Sequence, residues 1–136
     1  MKNAAGQVSL TTLAFARAHK FHTVYLLTAG SGSSPAQIEE SLTELRQEIE
    51  SRLVALGLMV ARNAAGRVKG PPSGGESYVP VRQPEEIQPE PDIILFVAID
   101  LAGSPRKLTF WFVSPVDYRA RGVYANPQER QVLELK

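Results

Sequence analysis

Apolar residues recur at Ile38, Leu42, Leu45, Ile49, Leu53 and Leu56, the three-to-four spacing of one buried stripe on a helix. The ends of this run carry matching signals. Ser34 suits the N-cap, Pro35 the first helical position, and Gln37 completes a Ser-x-x-Gln capping box. Glu39, Glu40 and Glu44 crowd the opening turns, where the helix dipole favours negative charge. Glu48 and Arg52 form an i,i+4 pair in the better orientation, and Gly57 stands where a helix stops. The pattern predicts a helix of about 22 residues, roughly 33 Å long at 1.5 Å per residue.

Other stretches follow the period of a strand. Residues 21–30, FHTVYLLTAG, combine β-formers with large apolar residues and end at Gly, which predicts a strand. Residues 8–18 fit either a strand or a short helix, and the strand is preferred. A short strand is expected at 58–61. Residues 91–103, PDIILFVAIDLAG, predict a strand buried on both faces. Ile93, Leu95, Val97, Ile99 and Leu101 line one side, and Ile94, Phe96, Ala98 and Asp100 the other. Gly103-Ser104-Pro105 turns the chain into residues 106–114, completing an antiparallel hairpin. Leu108, Phe110 and Phe112 then face one way, Thr109, Trp111 and Val113 the other. A last alternating piece, 131–135, predicts an edge strand. Between 63 and 90, Pro and Gly break every periodic pattern. Such a loop is usually functional or mobile, and a short strand near 78–81 interrupts it. The expected fold is α+β, one long helix packed on a mainly antiparallel sheet of four to five strands. It forms a single domain over 1–136, with the Gly/Pro-rich loop at about 63–90.

Composition narrows the function. Hydrophobic residues are 43% and charged residues 21% of the 136, so a packed core is expected rather than disorder. Fifteen basic against fourteen acidic residues give a net charge of +1, too even for a nucleic-acid binder. The absence of cysteine removes disulfides, thiolate zinc sites and thiol nucleophiles, and leaves the compartment open. The longest apolar run, Ile93 to Ile99, is far short of the roughly 20 residues of a membrane span. Asn3, Gln7, Ser9, Thr11 and Thr12 interrupt any secretory signal at the N-terminus. Two alternatives remain: a cytoplasmic protein, or one whose targeting segment precedes Met1.

No catalytic, cofactor or metal constellation is complete. The loop of Gly30, Ser31, Gly32, Ser33 and Ser34 lies between a strand and a helix N-terminus, where free N–H groups can hold an anion. Pro35 stands where the dinucleotide fingerprint needs Gly, and no P-loop Lys follows, so a capped helix start is the plainer reading. His19 and His22 lack a nearby acid or Cys to complete a metal shell. Glu85, Glu86, Glu90 and Asp92 sit among prolines and read as a solvated acidic linker, while Asp100 faces solvent or caps a turn. Arg62, Arg67 and Lys69 read as solvated loop charges. The most informative feature is an apolar surplus. One amphipathic helix covers one sheet face, yet Ile94, Phe96, Trp111 and Val113 are apolar on the other. Either residues 1–20 or the long loop fold over that face, or a partner does.

The strand Thr23-Val24-Tyr25, the helix closing on Leu56-Gly57-Leu58-Met59-Val60, and the strand opening Pro91-Asp92-Ile93-Ile94 resemble small β-α-β-β accessory lipoprotein domains of bacterial envelopes, akin to LpoB, FlgO and the CsgG-type core. The lipobox Cys of such proteins is absent. The resemblance implies a periplasmic or outer-membrane-peripheral location, with peripheral anchoring through any lipidated segment ahead of Met1, and carries no functional residues over. The sequence as a whole predicts a non-enzymatic binding or assembly module with a protein partner or self-association, and no cofactor. The alternative is a cytoplasmic regulatory domain that holds a small ligand or anion at Gly30, Gly32, Ser33 and Ser34.

Overall fold

The computed structural model describes residues 2–62, 67–69, 78–80, 91–103, 105–117 and 130–135. Along them run helix α1 (Lys2–His19), strand β1 (Thr23–Ser31), helix α2 (Pro35–Ala55), and strands β2 (Met59–Arg62), β3 (Arg67–Lys69), β4 (Tyr78–Pro80), β5 (Ile93–Asp100), β6 (Lys107–Val113) and β7 (Gln131–Glu134). Five strands form one sheet in the order β2-β1-β5-β6-β7, and β3 and β4 form a separate ribbon. The fold is α+β as expected, but the sheet is mixed rather than mainly antiparallel. β1 runs parallel to both β2 and β5, whereas β6 is antiparallel to β5 and β7. The hairpin was legible from its short turn. The parallel half arises because a 21-residue helix carries the chain back to the end of the sheet where β1 began.

Helix α2 follows its sequence signals closely. The Gln37 N–H donates to Ser34 Oγ at 3.3 Å, and Ile38, Leu42, Leu45, Ile49 and Leu53 are all fully buried. Leu56 falls outside the stripe as the C-cap and is 36% exposed. Gly57 adopts φ +92, and the N–H groups of Gly57 and Leu58 donate to the carbonyls of Val54 and Leu53. This is a Schellman stop, in which the left-handed residue must be free of a Cβ clash.

Residues 8–18, expected as a strand, belong to α1, so a second long helix stands beside the one expected. Its inward positions explain the error. Ala5, Ser9, Thr12 and Ala16 are buried, a stripe at helical spacing made of small and hydroxylic residues. Ser9 Oγ and Thr12 Oγ1 donate to the carbonyls of Ala5 and Val8, four residues back, so neither hydroxyl is buried without a partner. Small residues also let the helices approach, and a side chain at Gly6 would touch the Arg52 guanidinium at 3.4 Å.

Both helices lie on the sheet face built from Val24, Leu26, Ile93, Leu95, Val97, Ile99, Leu108 and Phe110. The Phe15 ring stacks on Phe112 with centroids 4.3 Å apart, which fixes α1 over β6. Residues 1–20 therefore do not cover the second face. β4 comes within 8 Å, Cα to Cα, of β1. β2 and β5 occupy both flanks of β1 and the helices its first face, so β4 approaches from the second. That places part of the 63–90 stretch against the apolar surplus. No described helix is long and apolar enough to cross a membrane.

Candidate functional site

Strand register sorts the second face into rows. Leu27, Phe96 and Trp111 are aligned across β1, β5 and β6; Ala29, Ala98 and Thr109 form the next row; Ser31, Asp100 and Lys107 form the last. A bulky row thus borders a row of small side chains, and the step between them leaves a hollow of about 260 Å³. Its lining includes Ala29, Ala98 and Thr109 of the small row, Phe96 and Trp111 of the bulky one, and Arg130. The Arg130 guanidinium stands 4.8 Å from the centroid of the Trp111 ring, a cation–π contact. The hollow opens at the C-terminal ends of parallel strands β1 and β5, where α/β sheets commonly receive ligands.

The candidate partner residues Ile94, Phe96, Trp111 and Val113 are brought together on this face, at 0, 1, 2 and 0% exposure. Within one chain they are already shielded, so they offer no open apolar surface.

The candidate anion loop is occupied by packing. A Cβ on Gly30 would lie 2.7 Å from Ile38 Cγ2 and 3.3 Å from Leu42 Cδ1. A Cβ on Gly32 would meet Leu101 Cβ at 3.3 Å and Ile38 Cγ1 at 3.5 Å, looser contacts. These glycines let the first turn of α2 sit directly on the sheet. Ser33 is exposed, and Ser34 spends its side chain on capping, with its carbonyl taken by Ile38 N–H. Little of the helix N-terminus is left for an anion. Gly30→Ala should cost about 1–3 kcal/mol, because a β-branched methyl cannot rotate away from the new Cβ. Urea titration should show a smaller loss in an Ile38→Ala background, and an equal loss in both backgrounds would refute the close approach.

The remaining candidates are placed apart. His19 stacks against Phe15 and Phe21 at centroid distances of 4.4 and 5.4 Å. The His22 backbone N–H donates to Asp92 Oδ2. Among the described residues, no three metal-ligating side chains come together. Asp100 Oδ1 accepts the N–H groups of Ala102 and Gly103, so it caps the β5–β6 turn. Asp92 is no linker charge: Oδ2 accepts from His22 and Thr23 at 2.8 and 3.1 Å and ties the start of β5 to that of β1. Its position directly before a strand was the available signal. Glu85, Glu86 and Glu90 lie outside the described residues, and Arg62, Arg67 and Lys69 fall in β2 and β3.

Sequence reasoning also missed the β2 edge. The Met59 N–H donates to the His22 carbonyl, towards β1. Strand alternation therefore turns the N–H and C=O of Val60 away from β1, and among the described residues no strand pairs with that side. Met59, at the head of this strand, is 55% exposed. The opposite edge, β7, carries exposed Gln131 and Glu134 together with Val132, which is 56% exposed.

No family model, curated protein or solved structure matches the chain.

Proposed function

We propose that the chain is a non-enzymatic assembly module, an accessory component of a bacterial envelope complex, which engages a partner strand along β2. The observation that carries this reading is the outer edge of β2 at exposed Met59, with which no strand pairs among the described residues, because such an edge is a template for strand addition. The resemblance to accessory lipoprotein domains supplies the location. The simplest strand donor is β2 of a second copy, antiparallel across a two-fold axis.

Sedimentation velocity over a concentration series tests it. The wild type should associate as concentration rises. Val60→Pro removes the outward N–H and leaves the bonds to β1, so it should remain monomeric with a native circular dichroism spectrum. Met59→Lys, at an exposed position, should do the same. A wild type that stays monomeric at the highest concentration would sink the proposal, as would unchanged association of both variants.

A second reading, ligand binding by a regulatory domain, is favoured by the hollow between the aromatic and small-residue rows rather than by the Gly-Ser loop.

A further inference from the structure

A cleft lies at the end of the molecule where β1 begins, because both helices stop there. α1 closes with the Phe21 N–H donating to the Ala16 carbonyl at 2.8 Å and with Lys20 at φ 59. α2 closes in the same manner at Gly57. The space between the two stops is about 440 Å³, within the usual range for ligand pockets. Leu13, Phe21 and Leu56 give it apolar surface that stays reachable, the first two half-buried and Leu56 36% exposed. Arg17, Lys20 and His22, all exposed, supply its polar lining, and no acidic side chain lines it among the described residues. Asp92, at the same end, has Oδ2 turned to the His22 and Thr23 N–H groups. The walls are held in place: the His22 N–H donates to Asp92, and the His22 carbonyl accepts the Met59 N–H.

Lys20 is the unusual residue. A helix stop of this kind favours glycine at its left-handed position, as α2 has at Gly57, because a Cβ is strained there. The chain therefore keeps a cation at a place where the fold alone favours glycine, at the mouth of a recess lined with apolar side chains.

We propose that this cleft binds a free, straight-chain carboxylate of medium length. The alkyl chain lies against Leu13, Phe21 and Leu56, and the head sits between Arg17 and Lys20. Arginine can hold a carboxylate with two parallel N–H bonds, and lysine adds a point charge. None of the described lining residues belongs to β2, so ligand binding is read separately from association.

Octanoate is the probe, with octanol as its uncharged counterpart and acetate as the charge without the chain. Titrated into the full chain, octanoate should shift the amide resonances of Phe21, His22 and Gly57 saturably, in the roughly millimolar range expected of so small a ligand. Octanol and acetate should each bind about tenfold more weakly or worse. Lys20→Gly removes the cation and relieves the strain together. It should leave the thermal midpoint no lower than that of the wild type and weaken octanoate about tenfold, a pairing that a purely structural lysine would not give. Leu56→Glu, at an exposed position, places a carboxylate in the cleft and should abolish binding, with circular dichroism confirming a folded chain. Phosphatidylglycerol vesicles should leave the chain in the supernatant. The proposal is overturned if octanoate gives no saturable shifts, if octanol binds as tightly, or if Lys20→Gly leaves octanoate affinity unchanged. Cosedimentation with the vesicles that Lys20→Gly abolishes would also overturn it, by assigning the cleft to a membrane surface.

Discussion

Leu45→Asp is expected to abolish cooperative unfolding altogether. Leu45 is fully buried at the middle of the α2 stripe, between Leu42 and Ile49 and facing the sheet. Truncating such a leucine alone costs about 2–5 kcal/mol through lost contacts and the cavity left behind. A carboxylate adds the cost of burying a charge that has no partner there, several kcal/mol more. The sum is comparable to the roughly 5–15 kcal/mol that separates a native domain of ordinary stability from its unfolded state. Far-ultraviolet circular dichroism on heating should show no sharp transition. Glu44→Ala, one residue away on the exposed side, should stay within about 0.5 kcal/mol of wild type. A normal midpoint for Leu45→Asp would mean that α2 does not pack through this stripe.

Trp111→Ala discriminates between two roles for the second sheet face. Were that face an open interface, its removal would weaken association and leave folding nearly intact. Trp111 is instead 2% exposed, packed against Phe96 at a centroid distance of 4.6 Å and overlain by Arg130. The expected loss is therefore one of stability, about 3–5 kcal/mol, the usual result of emptying a buried aromatic site. For a chain of this size that lowers the thermal midpoint by roughly 10–20 °C. Wild-type emission should be blue-shifted and poorly quenched by iodide in dilute solution. A red-shifted, readily quenched Trp111 together with an unchanged midpoint for the alanine variant would return this face to the list of interfaces. The chain would then engage partners through Ile94, Phe96, Trp111 and Val113 rather than along β2.

The apolar surplus on β5 and β6 was plain from alternation, and it was natural to look for something that covers it. Burial depends on what the rest of the chain does, and no local pattern states that β4 will approach β1. The proposed assembly surface lies instead at the outer edge of β2, beside exposed Met59, where no strand pairs among the described residues.

By itself the sequence determined the elements whose cause is local. The α2 stripe, its Ser34 cap and its Gly57 stop follow from side chains within a few residues of one another, and so does the β5–β6 hairpin with its short turn. The same holds for the apolar character of both sides of β5. Only the tertiary structure decided the rest, because the causes there lie far apart in the chain. α1 is a helix because Ala5, Ser9, Thr12 and Ala16 fit closely beside α2, and small residues carry almost no periodic apolar signal. β2 is parallel to β1 because α2 returns the chain before it pairs. Gly30 is a glycine because Ile38 descends onto it, which the Gly-Ser spelling alone could not distinguish from an anion cradle. The hollow exists because register sets Ala29 beside Ala98 and Ala98 beside Thr109. These residues lie on three strands, and only pairing across the sheet brings their small volumes into one row.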